Sequence, residues 1–335
     1  MSYIDYDAAF DKEMALKEWL DYWFDTYSRY NVKRSTAISY RGYIDNHFCL
    51  IGDLHMSAIT TDKLQRFFNR QYNEGSAKGG GLSPKTLQNM KRMLHKSLGK
   101  AVDLGIIEKN YSDCIELPRQ QKQNVQALNV DEQQRLIREI KLSDKPLVFG
   151  VYISLKTGLR LGEVLGLQWR DIDFDNRIIH VRRAVNRLNK LNYNGVGTKT
   201  ELRMETLKSD ASYRDIPVTE SLIKKFGYEK AKLEQRYKKT MSEEDFVISS
   251  RYGYPAEPKT LQKTYLMIAQ SANISNTHFH CLRHTFATRA IEKGADPKTV
   301  SVLLGHADVS ITLNRYTHVM EEQKRKTMEM LLDDE

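Results

Sequence analysis

Seven side chains in the second half of the chain are of types that can do chemistry together: Arg160 and Glu163 in TGLRLGEVLGL, Lys208 in TLKSDASYRDIP, His280 and Arg283 in HCLRH, His306 in LLGH, and Tyr316 in LNRYTHV. A guanidinium is a planar, multi-donor fork that stays charged at any relevant pH, which suits it to an anion. A phenol can act as a nucleophile, and histidine or lysine can carry the protons that an attack displaces. Each residue alone also has an ordinary reading. Arg160 stands three residues before Glu163, the spacing of a weak helix-surface ion pair. A helical histidine such as His280 is more often a capping or packing residue, and Tyr316 is one of 18 tyrosines, any of which can sit in a core.

Two other patterns invite chemistry and fall short of it. His278, His280, Cys281 and His284 lie close in sequence, and His280 and His284 are four apart, as metal ligands on one helical face would be. The glutamate of an HExxH site is missing, Cys281 falls off that face and no second ligand group presents itself, so no metal is expected. The glycines of EGSAKGGG lack the Gly-Lys-Ser/Thr ending of a phosphate-binding loop and read as a flexible turn.

The elements that must carry these residues can be read from periodicity. Met14, Leu16, Trp19, Leu20, Trp23, Phe24 and Tyr27 form one apolar helical face; Ile38, Tyr43, Ile44 and Phe48 suggest a second helix, and Leu64, Phe67 and Phe68 after Asp62 a third. A fourth begins with Ser83 as cap and Pro84 in the first turn, carries Leu87, Met90, Leu94, Leu98 and Ala101, and stops near Gly105. The polar, proline-containing run ELPRQQKQNVQA at 116–127 interrupts every apolar period and marks a domain boundary. Beyond it, Asp131 is the expected cap of a helix through Ile140, and KPLVFGVYISLK is an apolar helix leading into TGLRLGE. RIIHVRRAV at 177–185 reads as one strand, and 203–218 with its Ser-Asp-Ala-Ser turn as a hairpin. From Thr219 onward the chain reads as helical apart from Phe246–Ser249 and its Gly-Tyr-Pro turn.

The 335 residues, 40% of them apolar, suffice for two ordinary domains, each with a core. With 52 basic against 43 acidic residues the net charge is +9 and the pI about 9.2, which leans toward a polyanionic partner. The excess is uneven: residues 1–25 hold two basic and seven acidic side chains, residues 26–120 fifteen and eight. That surplus is either a solvated face or a nucleic-acid footprint. Cys49, Cys114 and Cys281 are odd in number and far apart, which indicates neither a disulfide framework nor a cysteine zinc site and suits a reducing compartment. No apolar run reaches the roughly 18 residues of a spanning helix, and the acidic N-terminus does not resemble a signal peptide. The expected location is cytoplasmic.

Taken in order, Arg-x-x-Glu, an interstrand lysine, His-x-x-Arg, Leu-Gly-His and a tyrosine ten residues later resemble the tyrosine recombinase, or phage integrase, family. The run HFHCLRHTFATRAIEKGADPKTVSVLLGHADVSITLNRYTHV looks most like integrases of Gram-positive phages and conjugative transposons. The resemblance implies a mainly α fold with a small antiparallel β-sheet, in two domains forming a C-shaped clamp on DNA. These are a helical core-binding domain (1–118), a linker (119–127), a catalytic domain (128–319) and a tail helix (320–335) that docks on a neighbouring protomer. It implies Tyr316 as nucleophile, forming a 3′-phosphotyrosine; Arg160 and Arg283 as the clamp on the non-bridging oxygens; and Lys208 as general acid, chosen over Lys190 and Lys199 by its Lys-Ser-x-x-Ser-x-Arg-x-Ile-Pro setting. By the same resemblance His280 helps remove the tyrosyl proton, His306 donates to the scissile phosphate, and Glu163 orients its neighbours.

The resemblance further implies strand exchange through a Holliday junction in a homotetramer on double-stranded DNA, without cofactor, metal or ATP, with an excisionase and a DNA-bending protein as accessory partners. Bacterial, DNA-associated and without a membrane partner is the expected setting. Integration and excision of a mobile element is the first assignment; a Xer-like chromosome dimer resolvase is the alternative, ahead of a type IB topoisomerase or an inactive DNA-binding protein. Residues 1–13 ahead of the first helix are too few for the arm-site-binding domain that many such integrases carry, leaving either a two-domain recombinase or a shortened chain.

Overall fold

The computed structural model of the chain describes residues 13–120, 127–145, 147–190, 198–207, 212–250, 253–306, 308–310, 312–313, 328 and 332. The chain divides into two compact units, Met1–Gln123 together with Asn189–Lys199, and Asn124–Leu188 together with Thr200–Glu335. Residues 121–126 of the 116–127 run, the first three residues of the Ser-Asp-Ala-Ser turn, Lys208, Tyr316 and nearly all of the tail lie outside the described residues.

The first unit is helical. Helix α1 (Leu16–Trp23) runs on into a single wider turn at Phe24–Ser28, closed by the Arg29 N–H on the Phe24 carbonyl at 2.7 Å. Helix α2 is Arg34–Asn46, α3 is Thr61–Glu74 and α4 is Pro84–Asp103. The apolar faces read from the sequence meet in one core built on Trp19, Leu20, Ile44, Phe48, Leu64, Phe68, Leu94 and Leu98. In α2 the buried face is Ala37, Tyr40 and Ile44, with Ile38 and Tyr43 only half-buried beside it. Ser83 caps α4, accepting the Thr86 N–H, with Pro84 in the first turn as its spacing predicts. The cap of α3 is Thr60, accepting the Lys63 N–H, and Asp62 lies inside the first turn.

The second unit packs helices α5 (Val130–Leu142), α6 (Val148–Thr157), α7 (Leu161–Gly166), α8 (Glu220–Tyr237), α9 (Pro258–Ser271), α10 (His280–Glu292) and α11 (Pro297–Leu304) with five short strands. Its core joins Val151, Ile153, Val164, Ile179, Val181, Phe226, Leu261, Tyr265 and Leu282. Helices α6 and α10 are buried on most of their circumference, so they run through the middle of the unit rather than along its surface. A smaller cluster of Ala287, Ile291, Val300 and Leu304, with Phe286 against it, fastens α11 to α10.

Three sequence expectations are corrected here. The cap of α5 is Asn129, not Asp131: Asn129 accepts the Glu132 N–H and Glu132 returns a bond to the Asn129 N–H, both at 2.8 Å. Two donors are satisfied reciprocally, which a cap at Asp131 would not achieve. The run at 177–185 is two strands: β1 (Ile172–Asp173), β2 (Ile178–Val181) and β5 (Arg214–Pro217) form one antiparallel sheet, whereas β3 (Arg183–Asn189) pairs with β4 (Thr200–Thr206). For the same reason 203–218 is no self-paired hairpin. Its first arm, in β4, belongs to β3, and its second, β5, lies against β2 with Ile179 opposite Ile216 and Val181 opposite Arg214. Alternation shows which face is buried but not which strand is the neighbour, so it reads through such a change of partner.

Candidate active site

The site is organised around the last turn of α11. Asp296 caps this helix by accepting the Thr299 N–H at 2.9 Å, Pro297 opens it, and Gly305 closes it in a left-handed conformation (φ +64°). The carbonyls at a helix C-terminus lack intrahelical donors and carry the negative end of its dipole. Here three successive carbonyls are met by three arginines from three different elements. Arg214 of β5 donates Nε to Leu303 at 2.7 Å, Arg283 of α10 donates Nη2 to Leu304 at 2.7 Å, and Arg160 donates Nη2 to Gly305 at 3.1 Å. The next residue is His306, whose Nδ1 lies 2.8 Å from Thr312 Oγ1, which fixes the plane of the ring.

Arg160 is the residue before α7 rather than a surface position along a helix. Its backbone N–H donates to Glu163 Oε2 at 2.9 Å and its Nη1 to Glu163 Oε1 at 2.7 Å, while the side chain stays 37% exposed. Glu163 is 3% exposed and is gripped from its other side by Arg214, Nη2 to Oε2 at 2.8 Å. The surface ion pair suggested by spacing is thus half of an Arg160–Glu163–Arg214 chain that runs into the interior. Burial pushes the Glu163 carboxyl up, but Arg214 and then Arg160 outweigh it and hold the group below the usual carboxylate range.

A carboxyl whose folded pKa is depressed adds stability that is complete above its unfolded value, near 4.5, and lost as pH falls through the folded value. Glu163→Gln is therefore expected to melt well below the wild type at pH 7, by about 3–5 kcal/mol for a broken buried pair. The gap should begin to narrow as the pH falls below about 4.5 and close as it passes through the lower folded value. Thermal melts across pH 3–7 check this; a gap that stays constant over that range would contradict it.

Arg283 is 2% exposed and bridges two segments, donating Nη1 to the Gly158 carbonyl at 2.9 Å as well as Nη2 to Leu304. Gly158 ends α6 with φ +68°, and a Cβ there would stand 2.6 Å from Phe286 and 2.8 Å from Leu304. Gly158→Ala combines a left-handed alanine with overpacking, an expected loss of about 2–4 kcal/mol. A urea midpoint close to the wild type would refute it.

His280 opens α10, exposed at its first turn, with its ring edge-on to that of buried His284 at 4.6 Å between centroids. Cys281 turns instead toward His278, Sγ to Nδ1 at 3.2 Å, so the four residues that invited a metal reading form two separate pairs. Among the described residues no group of three His, Cys, Asp or Glu stands close enough to hold a metal ion, and no helix is long and apolar enough to cross a membrane. Lys190 and Lys199, the competitors of Lys208, face each other at the end of the β3–β4 ribbon, N–H to carbonyl at 2.9 Å.

The structure thus brings Arg160, Glu163, Arg283 and His306 to one turn, with His280 one helical turn ahead of Arg283. Sequence reasoning passed over Arg214 and Thr312. The signal for Arg214 was present: it shares the inward face of β5 with Ile216, and a charge at an inward position demands a buried partner. Two guanidiniums held on adjacent carbonyls, one of them still partly open to solvent, are equipped to gather an anion beside a histidine.

The profile described as Phage integrase family matches residues 121–323, and that described as Phage integrase, N-terminal SAM-like domain, matches 15–72. The chain belongs to the phage integrase family, the tyrosine recombinases, which cleave and rejoin DNA in site-specific recombination. Among its relatives, a tyrosine recombinase XerC-like protein of Caldanaerobacter subterraneus subsp. tengcongensis is 30% identical, over 96% of this chain and 84% of that protein. The transposase from transposon Tn916 of Enterococcus faecalis is 28% identical over 74% of this chain, which spans 63% of that protein's length. In fold, the chain matches the integrase of transposon Tn1549, solved with a circular intermediate DNA, at a TM-score of 0.74 and 23% identity, covering 95% of this chain and 99% of that one.

Proposed function

We propose that this recombinase integrates and excises a mobile genetic element, using Tyr316 as nucleophile on double-stranded DNA. The observation that carries the site assignment is the seating of Arg160 and Arg283 on the adjacent carbonyls of Gly305 and Leu304, immediately before His306. A scissile phosphodiester is anionic, and charge grows on its two non-bridging oxygens as it is attacked. Two guanidiniums fixed in advance meet that charge without reorganising. The Tyr316 oxygen forms a bond to phosphorus as the bond to the 5′ oxygen breaks. Lys208 supplies the proton that the departing oxygen takes up, His280 assists removal of the phenolic proton, and His306 donates to the phosphate. The bond energy is kept in the phosphotyrosine, so a free 5′ hydroxyl of a partner strand can reverse the step, releasing the tyrosine, with no need of ATP or metal.

Each tyrosine is consumed by one strand, and exchange between two duplexes cuts four strands, which calls for four protomers on DNA. Tail docking between protomers is part of this reading. Met328 and Leu332, four residues apart, are both exposed, as apolar positions awaiting a partner surface would be. An excisionase and a DNA-bending protein enter by the family resemblance alone. The Tn916 transposase among the relatives favours the mobile-element assignment. A second reading, a Xer-like resolvase of chromosome dimers, is favoured by the XerC-like relative at 30% identity.

The test is a suicide substrate nicked beside the scissile phosphate, carrying either a candidate element end or a candidate chromosomal dimer-resolution site. A covalent 3′ adduct followed by joint molecules with a second element end supports the assignment. Adduct and joining only on the chromosomal site support the resolvase, and an adduct that relaxes supercoils without joining points to a topoisomerase.

A further inference from the structure

Glu163 presents an electrostatic difficulty for a phosphate clamp. A carboxylate 2.7 Å from Arg160 cancels the charge that Arg160 would offer to a phosphodiester, since the pair together carries no net charge. Arg214 removes the difficulty. Its side chain is as buried as that of Glu163, and its donors are all directed inward: Nε to Leu303, Nη1 to the Ser212 carbonyl at 3.1 Å, and Nη2 to Glu163. Arg160, Glu163 and Arg214 together sum to one positive charge. Only Arg160 of the three is open to solvent, so the surplus is expressed there.

Arg214 also acts geometrically. It holds the Leu303 carbonyl, one residue before the carbonyl that Arg283 holds and two before the carbonyl that Arg160 holds. Without it, Glu163 would be left with Arg160 as its one charged partner among the described residues and would draw that guanidinium onto itself.

We propose that Arg214 is a positioning residue of the cleavage reaction: by compensating Glu163 and bracing the end of α11, it leaves Arg160 cationic and directed toward the scissile phosphate. This rests on the reading of Arg160 as part of the phosphate clamp. It reaches the phosphate through Glu163 and Arg160 and touches no reacting atom.

The test compares single-turnover cleavage by the full chain on two nicked substrates, one with an ordinary phosphodiester and one with a methylphosphonate at the scissile position. The methylphosphonate is neutral, so it depends little on clamp charge. Arg160→Ala is expected to lose about 100-fold on the diester and under about tenfold on the methylphosphonate. Arg214→Met should show the same contrast, about 50-fold against under about fivefold. The double variant Glu163→Gln/Arg214→Met removes both buried charges, restores one net charge at Arg160, and should recover at least about tenfold on the diester relative to Arg214→Met.

Equal losses for Arg214→Met on both substrates, with no recovery in the double variant, overturn the proposal and leave Arg214 a purely structural residue. Equal losses for Arg160→Ala on both substrates overturn the clamp reading itself, which separates the two failures. If Arg214→Met does not fold, the double variant, which buries no unpaired charge, carries the test alone. Diester cleavage more than about 100-fold below the wild type in that folded variant would then overturn the proposal.

Discussion

Tyr316→Phe is expected to bind attachment-site DNA with nearly wild-type affinity and to form no covalent adduct, a loss of at least about 10⁴-fold in single-turnover cleavage. The substitution removes one oxygen, which the proposed chemistry uses as the attacking atom, and phenylalanine keeps the ring. No other group on the chain can substitute without being placed in line with the leaving 5′ oxygen, so the loss should reach the floor of a denaturing-gel assay. On the proposed function, binding would draw on phosphate contacts spread over a chain with a net charge of +9, so one neutral-to-neutral change should leave it untouched. An adduct formed by Tyr316→Phe at more than about a hundredth of the wild-type rate would move the nucleophile to another residue.

Arg283→Lys is expected to lower cleavage by about 10²–10³-fold while keeping the charge. The guanidinium reaches the carbonyls of Gly158 and Leu304 through two different nitrogens, at 2.9 and 2.7 Å, in the plane of one fork. A lysine has a single ammonium on a flexible stem and cannot span both carbonyls while presenting a donor to phosphate. One of two buried carbonyls is then left without its donor, which costs about 1–3 kcal/mol of stability. The catalytic effect is distinguishable from the stability effect because the assay runs on folded protein, verified by its melting curve. A loss below about fivefold would show that Arg283 serves the α6–α10–α11 packing and not the phosphate.

The parts of this molecule that could be read in advance depend on contacts within one or two turns. Ser83-Pro84 before α4 and the stripe from Leu87 to Ala101 identify that helix, because a cap, a preset φ and a 3.6-residue period are all local. The ordered set from Arg160 to Tyr316 stands out for another reason: arginine, glutamate, lysine, histidine, arginine, histidine and tyrosine follow one another in the order that carries the family resemblance, and the family match over 121–323 spans all of them. Where a local signal had a near competitor the reading slipped. Asp131 and Asn129 both cap well, and only the reciprocal bond from Glu132 decides between them.

What the sequence by itself determined is therefore the inventory: the helical faces, the inward-pointing positions of the strands, and the family to which the ordered residues point. Tertiary structure alone decided that the alternating run at 177–185 changes partner between Val181 and Arg183, and that 203–218 is shared between two sheets. It alone decided that Arg160 and Glu163 continue inward to Arg214, and that Leu303, Leu304 and Gly305 are each held by an arginine from a different element. Period and propensity state how a residue faces its own element, whereas a buried charge is satisfied by whatever group lies across the core, 51 residues away in the case of Glu163 and Arg214.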